Sequence, residues 1–275
     1  MNIRVEPGAY GALPEEFCRY ETASIAILPV PYDVTSTWMK GADRGPQALL
    51  EASANLELYD IETDSEVFKH GIVTVDPVPC PEEPGAMVAA VYERARRLLM
   101  DGKFIVGIGG EHTISVGLVQ AAATRFANLS VLQFDAHADT RNEYEGSRYN
   151  HACVMSRIGE ICPYVQAGIR SMDSSELKTL NRDRTFFAHE ILKGPDVTSR
   201  ALKALTKNVP ANRAGRLSGY GQAVHRAART PTRIQSFYLA AEFQSGKEER
   251  GGQRAAAGAL GRPSRIHAIP GPRRE

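Results

Sequence analysis

Residues 130–139 read Ser-Val-Leu-Gln-Phe-Asp-Ala-His-Ala-Asp, an apolar run that ends in three potential metal ligands. The run Ser130–Phe134 predicts a buried strand. Because alternate residues of an extended segment face the same way, we expect Asp135, His137 and Asp139 to point into one polar focus. Such a focus is costly at a buried strand end unless a cation neutralises the carboxylates. The oxygen-rich ligand set favours manganese or a similar hard divalent ion. The alternative is an exposed acidic loop with a chance histidine.

Strand-like apolar runs alternate with amphipathic stretches on both sides of this segment, up to about Val209. This alternation predicts an α/β fold of three layers, α/β/α, around a mainly parallel sheet. The predicted strands are Ser24–Val30, Ile72–Val75, Phe104–Ile108, Ser130–Phe134, Val165–Ile169 and Thr185–Phe187. Helices are predicted after Gly45-Pro46, over Met87–Met100, over Thr113–Phe126, over Ala152–Ile158, from Ser174 and from Val197. The first of these helices is expected to bury one face, formed by Ala48, Leu49, Ala52, Leu56 and Tyr59.

A second group of candidate ligands follows the predicted strand Phe104–Ile108. Residues 107–113 read Gly-Ile-Gly-Gly-Glu-His-Thr, and the glycines are expected to allow positive φ in a sharp turn from strand to helix. His112 would then lie at the carboxyl edge of the sheet, where ligands bind in such folds. A structural turn with an incidental histidine is the alternative for this motif taken alone.

The composition is that of a globular protein. The chain has 275 residues, 33 Lys+Arg, 32 Asp+Glu and 43% apolar residues, which excludes global disorder. The first twenty residues hold five charged side chains and no apolar run, so we expect no secretory signal, no membrane partner and a cytoplasmic location.

The balanced net charge conceals two segments of opposite sign. Residues 1–209 carry a balance of −7 and residues 210–275 a balance of +8. The second segment is rich in Arg, Ala and Gly, with one clear apolar run from Phe237 to Phe243. We therefore predict an α/β domain over 1–209 and a basic tail over 210–275 that is poorly ordered or non-native. The tail has no known binding module, so we do not predict a nucleic-acid partner.

Taken together, the motifs resemble the ureohydrolase family of arginases and agmatinases. The resemblance rests on Gly-Gly-Glu-His-Thr ending at Thr113, on Asp-Ala-His-Ala-Asp at 135–139, and on Asn150-His151 twelve residues later. Residues 29–37, Pro-Val-Pro-Tyr-Asp-Val-Thr-Ser-Thr, together with 40–46, are similar to the agmatinase branch in particular. The similarity spans about Ala23 to Val209.

This resemblance implies a binuclear manganese centre that hydrolyses a small guanidinium substrate, such as agmatine, to urea and an amine, putrescine. His112 and Asp139 would bind one ion, His137 the other, and Asp135 would bridge them. A hydroxide bridging the two ions would attack the guanidinium carbon. His151 would shuttle the proton to the leaving amine. The family resemblance also implies that Asn150 contacts substrate and that the chain forms homo-oligomers. A helix-start histidine bonded to backbone is the alternative for His151.

One family motif is missing from the sequence. The family carries a later strand ending in Asp-x-Asp-x-x-Asp-Pro, which completes both coordination spheres, and it would be expected directly after Val209. No aspartate follows Asp196 in this chain. We therefore expect an incomplete second metal site and a frameshifted or truncated ureohydrolase, since the tail has the composition of a wrong reading frame in a G+C-rich gene.

Two other functions stay open. The chain could be a non-catalytic remnant or regulatory paralogue that keeps the fold and at most one metal. It could also be a deacetylase-like metal amidohydrolase on the same fold, acting on acylated amines.

Overall fold

The computed structural model describes residues 9–61, 63–193 and 237–241. Its strands are β1 (Ile25–Val30), β2 (Ile72–Thr74), β3 (Phe104–Gly109), β4 (Ser130–Phe134), β5 (Tyr164–Ile169), β6 (Thr185–Phe187) and β7 (Phe237–Ala241). Its α-helices are α1 (Gly45–Ser53), α2 (Pro84–Met100), α3 (Ile114–Arg125), α4 (Val154–Gly159) and α5 (Ala188–Ile191). Short 3-10 helices span Tyr10–Ala12, Glu15–Phe17, Ala42–Arg44, Val67–His70, His151–Cys153 and Ser174–Lys178. No helix within the described residues is long and apolar enough to cross a bilayer.

The described residues form two compact units. The first contains residues 9–125 and 139–161, and the second contains 126–138, 162–193 and 237–241. The chain passes from the second unit back to the first between Ala138 and Asp139, inside the Asp-Ala-His-Ala-Asp motif.

A three-stranded parallel sheet is the centre of the first unit. β1 lies between β2 and β3, so that Ile25 pairs with Ile72 on one side and with Phe104 on the other. β1 is buried along almost its whole length, as its apolar sequence requires. Because the three strands are parallel, the loops that follow β1 and β3 leave the sheet at the same edge.

α2 illustrates how the sequence specifies a helix in this unit. Glu83 caps its first turn by accepting hydrogen bonds from the N–H groups of Gly85 and Ala86, and Pro84 supplies a fixed φ at the first helical position. The buried stripe consists of Met87, Val88, Val91, Ala95 and Leu98. α3 packs closely on this helix because Gly117 has no side chain; a Cβ there would lie 2.5 Å from the carbonyl oxygen of Val88.

The face predicted for α1 is wrong. The helix buries Pro46, Leu50 and Ser53, whereas all five residues of the predicted apolar face are exposed. Ser53 is buried because its hydroxyl donates to the carbonyl of Leu50 and accepts from the N–H of Gly11. Leu50 packs in an apolar cluster with Leu13 and Ile72, and Ser53 adds a polar anchor beside it, so the buried face is not the one that periodicity predicted.

The second unit is built on a four-stranded sheet in the order β6-β5-β4-β7. β4, β5 and β6 are parallel, and β7 runs antiparallel to β4. A small apolar cluster forms beside the sheet from Ala138, Ile169, Leu180 and Phe187. The carboxyl end of β4, which leads into the candidate ligands, is thus fixed by a paired strand and by apolar packing.

Parallel strands alternating with helices confirm the predicted α/β class. The hydrogen bonds divide the described strands into two sheets rather than the single sheet that was expected. The helix predicted from Val197 lies outside the described residues, as does the tail 210–275 except for β7. The division of the chain at Val209 therefore stays a prediction.

Replacing Glu83 by Ala should destabilise the protein, because two N–H groups of the first turn of α2 lose their acceptor. We expect a loss of about 1 kcal/mol in the free energy of unfolding, measured by urea denaturation. The neighbouring Glu82→Ala change, at an exposed side chain that does not cap the helix, is the control and should have little effect. Equal stability of the two variants would contradict the capping role.

Candidate active site

The turn after β3 brings His112 to the carboxyl edge of the first sheet. The expectation that its glycines adopt positive φ is wrong, since Gly107, Gly109 and Gly110 all lie outside that region. Close packing explains instead why glycines occupy these positions. A Cβ on Gly110 would lie 2.2 Å from the carbonyl oxygen of Tyr32, and one on Gly109 would lie 2.2 Å from the side chain of Ile114. Gly110 therefore lets this turn pack against the loop that follows β1, and Gly109 leaves room for the side chain of Ile114.

His112 and Asp139 meet within the first unit. The Nδ1 atom of His112 lies 2.6 Å from Oδ2 of Asp139, and both side chains are almost fully buried. Each offers one ligand atom to a cation. Neighbouring ligands of an octahedral ion with bonds of about 2.1 Å lie about 3 Å apart, so this pair is close to the separation that one shared ion requires.

Asp139 reaches this position through an unusual backbone conformation. Its φ is +51°, in the left-handed region that aspartate tolerates better than most residues. The carbonyl oxygen of Asp139 accepts a hydrogen bond from the N–H of Met155, which fixes the turn against α4. The prediction that Asp135, His137 and Asp139 continue one extended segment is therefore wrong at its last residue, because the chain turns there.

Asp135 and His137 lie in the second unit, directly after β4. Oδ1 of Asp135 accepts a hydrogen bond of 2.9 Å from the backbone N–H of His137 and lies 3.6 Å from Nδ1 of the same residue. The Asp135 side chain is 3% exposed, whereas that of His137 is 53% exposed. The carbonyl oxygen of Ala136 accepts from the N–H groups of Arg170 and Ser171, which holds the segment against the end of β5.

A chain of buried amides supports Asp135 from inside the second sheet. Gln133 donates to Oδ2 of Asp135 at 3.0 Å, and Gln166 donates to Oε1 of Gln133 at 2.6 Å. Gln166 also donates to the carbonyl oxygen of Ala138, and Thr185 donates to Oε1 of Gln166. Both glutamines are completely buried. These polar side chains on neighbouring strands fix the orientation of the Asp135 carboxylate, and they were not identified from the sequence.

His151 lies at the start of the 3-10 helix that precedes α4, next to a buried polar group of the first unit. Its backbone N–H donates to the hydroxyl of Thr35 at 3.0 Å, and its Nδ1 lies 3.3 Å from the same oxygen. Thr35 in turn donates to Oε1 of Glu111 at 2.9 Å. Asn150 is buried and caps the same helix, because its side-chain oxygen accepts from the N–H of Ala152. The sequence predicted neither the contact of Thr35 with His151 nor that of Glu111 with Thr35.

The loop that carries Thr35 is held by charged hydrogen bonds. The ammonium of Lys40 donates to the carbonyl oxygens of Asp33, Val34 and Ser36. Partial burial acts to raise the pKa of Asp33, but hydrogen bonds from Ser36 and from the N–H groups of Gly41 and Ala42, with the positive charge of Lys40, outweigh it and hold this pKa below its usual value. Hydrogen bonds and charge thus fix this loop.

Comparison with known proteins identifies the family. A model of the arginase family matches residues 23–212. The chain belongs to the arginase family. The N(1)-aminopropylagmatine ureohydrolase of Synechocystis is 35% identical over 216 residues, which cover 73% of this chain and 71% of that protein. The N(1)-aminopropylagmatine ureohydrolase of a Thermus thermophilus strain is 38% identical over 197 residues, covering 69% of this chain and 66% of that protein.

Solved structures agree with this assignment. The agmatine ureohydrolase of Thermoplasma volcanium superposes with a TM-score of 0.61 at 25% identity, covering 69% of this arginase-family chain and 64% of that one. The resemblance found in the motifs and the arginase-like α/β fold are therefore confirmed. The assignment places the chain among hydrolases of guanidino compounds.

Replacing Asp33 by Asn should lower the stability of the protein at neutral pH but not in acid. A carboxyl group whose pKa is lowered by folding contributes stability above its unfolded pKa, near 3.8, and loses it as pH falls through the lower folded value. The unfolding midpoint of the variant should therefore lie below that of the wild type at pH 7, with the gap narrowing below pH 3.8.

The control is Asp43→Asn, at an exposed residue of the same loop region. A difference between Asp33→Asn and the wild type that stays constant from pH 7 into acid would show that the Asp33 charge does not hold the loop.

Proposed function

We propose that this arginase-family chain hydrolyses the guanidinium group of a small agmatine-type substrate to urea and an amine, with manganese as its metal. The observation that supports this most directly is the 2.6 Å contact between His112 and Asp139. A buried imidazole and carboxylate at the carboxyl edge of a parallel sheet provide the mixed nitrogen and oxygen donors that suit such an ion.

We assign the proposed metal ligands by their positions in the motifs. His112 and Asp139 would hold one ion, His137 the other, and Asp135 would bridge them. The donor chemistry fits hard divalent ions, because carboxylate oxygens are supplemented by only two imidazoles. The support of Asp135 by Gln133 also fits, since ligating carboxylates are commonly oriented by outer hydrogen bonds. Bound divalent ions supply one piece of chemistry, the lowering of a water pKa toward neutrality, which provides a nucleophile.

His151 would handle the proton that the reaction requires. When the water oxygen bonds to the guanidinium carbon and the carbon–nitrogen bond to the amine breaks, the departing nitrogen must gain a proton. An imidazole can give and regain that proton near neutral pH. Asn150 would contact the substrate, because its side-chain oxygen has a second lone pair beyond the one used on the N–H of Ala152 and can accept from a guanidinium N–H.

The relatives favour a substrate longer than agmatine. The two N(1)-aminopropylagmatine ureohydrolases are 35% and 38% identical to this chain, whereas the agmatinase of Bacillus subtilis is 29% identical. We therefore propose that the substrate is a guanidinium compound carrying a further amine, with agmatine itself as the shorter alternative. The proposed product is the matching polyamine, and the proposed active form is a homo-oligomer.

Turnover on N(1)-aminopropylagmatine should exceed turnover on agmatine. With Mn²⁺ present, kcat/KM for urea release should be about tenfold or more higher for the longer compound, a difference of about 1.4 kcal/mol in transition-state binding. Arginine, whose α-carboxylate adds a negative charge, is the control and should be hydrolysed more slowly than either. A clear preference for agmatine would instead assign the chain to agmatinases.

Replacing His151 by Ala should lower kcat and leave metal binding intact. General acid–base groups contribute about 10²- to 10⁴-fold, so urea release should fall by that factor. Mn²⁺ affinity, measured by electron paramagnetic resonance, should not change. His70→Ala, at an exposed residue of a separate 3-10 helix, is the matched control. Loss of metal in the His151 variant would overturn the proposed role.

A second candidate function has its own support. No aspartate follows Asp196 in the sequence, so the chain lacks the later aspartates that the ureohydrolase resemblance implies for both ions. A protein with too few ligands for the second site would bind a single ion and release no urea. Binding of one Mn²⁺ per chain without turnover on either substrate would favour this metal-binding, non-catalytic function.

A further inference from the structure

We propose that Thr35, itself fixed by the buried carboxylate of Glu111, is a positioning residue that holds His151 as the tautomer protonated at Nδ1. Nε2 is then the atom that exchanges protons with the substrate. This inference rests on the proposed function for its consequence in catalysis, while the tautomer itself is a property of the folded chain. It extends the site to two residues that lie far from His151 in sequence.

Two threonine hydroxyls surround the carboxylate of Glu111. The hydroxyl of Thr35 donates to Oε1 at 2.9 Å, and the hydroxyl of Thr113 donates to Oε2 at 2.7 Å. The backbone N–H of Thr113 donates to the same Oε2 at 2.7 Å. Each hydroxyl carries a single proton, so both are committed to the carboxylate. With both protons assigned to the carboxylate, neither is shared across the 3.4 Å contact between the two hydroxyl oxygens.

The location of the proton on His151 follows from this count. Nδ1 of His151 lies 3.3 Å from Oγ1 of Thr35, an oxygen whose only proton points to Glu111. The oxygen can act only as an acceptor toward the ring, so the hydrogen in that contact belongs to Nδ1. In the neutral imidazole, Nε2 then carries the lone pair. The same oxygen accepts the backbone N–H of His151 at 3.0 Å, so one hydroxyl fixes both the main chain and the ring.

Burial keeps the hydroxyl of Thr35 in this orientation. Glu111 is 6% exposed, Thr35 is 7% exposed and Thr113 is fully buried. An ionised carboxylate in such a place is costly unless donors compensate it, and Glu111 has three. Because Glu111 is an acceptor that stays in place, the Thr35 hydroxyl cannot rotate to donate toward His151 without leaving the carboxylate short of a donor.

A purely structural role for Thr35 makes a different prediction. If Thr35 only supported the start of the 3-10 helix, its loss would change stability but would leave the two ring tautomers as they are in the wild type. The tautomer of His151 therefore separates the two roles, and it can be measured whether or not the chain releases urea.

The test is nitrogen NMR on protein labelled with ¹⁵N-histidine, recorded at about pH 8.5, where ordinary imidazoles are neutral. The signals of His151 are identified by their absence in a His151→Gln variant. Wild type and Thr35→Ser should both show His151 protonated at Nδ1, because serine keeps the hydroxyl. Thr35→Val should show loss of that state in favour of protonation at Nε2. Thr37→Val, at an exposed threonine of the same loop, should match the wild type.

Two results would overturn the inference. One is a wild-type His151 protonated at Nε2, which needs no variant to fold. The other is a folded Thr35→Val protein that keeps the wild-type tautomer. Where the wild type releases urea, Thr35→Val should also lower kcat by up to about 100-fold with KM little changed. Thr35→Ser, which keeps the hydroxyl, should have a kcat close to that of the wild type. Absence of urea release in the wild type would contradict the proposed function but not the tautomer assignment.

Discussion

Buried carboxylates at the ends of strands impose the constraint on which the candidate site residues depend. Glu111 and Asp135 are less than a tenth exposed, and the Asp139 side chain is 12% exposed. A carboxylate removed from water destabilises the fold unless hydrogen bonds or a positive charge compensate it. Each of these three carboxylates has a different set of partners, and these partners indicate whether it serves the scaffold or suits a metal ion.

Glu111 is satisfied by protein donors alone, so it suits a fixed element of the scaffold. Asp139 faces the ring of His112, and Asp135 receives one amide from Gln133 and one backbone N–H while lying near the ring of His137. Carboxylates beside imidazoles provide the mixed oxygen and nitrogen donors that a divalent cation takes. The arginase-family assignment and the pairing of these carboxylates with imidazoles both favour the binding of a divalent cation.

The sequence predicted the features that depend on local pattern. The strand Ser130–Phe134 and the helix predicted over Met87–Met100, observed as α2, follow from runs and periodicities that span a few residues. The face of α1 could not be predicted in this way, because the helix is anchored by Ser53 to the backbone of Gly11, a contact across 42 residues. Periodicity detects apolar stripes, and it cannot detect a polar contact such as that of Ser53, which helps to select the buried face.

The candidate ligands were chosen by residue type and remain a prediction, and their local geometry was not anticipated from the sequence. The motifs identified His112, Asp135, His137 and Asp139, but alternation along a strand could not anticipate the left-handed turn at Asp139. Thr35 and Glu111 were missed for a further reason, since they are 76 residues apart and their contact exists only because parallel strands bring their loops to one edge. One signal was available in the sequence, a glutamate between a tight glycine turn and a histidine.

The most direct test of the ureohydrolase function is the release of urea by the purified full chain. The protein is loaded with Mn²⁺ after chelation of other metals and supplied with N(1)-aminopropylagmatine or agmatine. We expect urea and the matching amine in equal amounts, with a release that depends on Mn²⁺ and is abolished by Asp139→Asn. Absence of urea from both compounds, or deacylation of an acylated polyamine with zinc in its place, would contradict the ureohydrolase function.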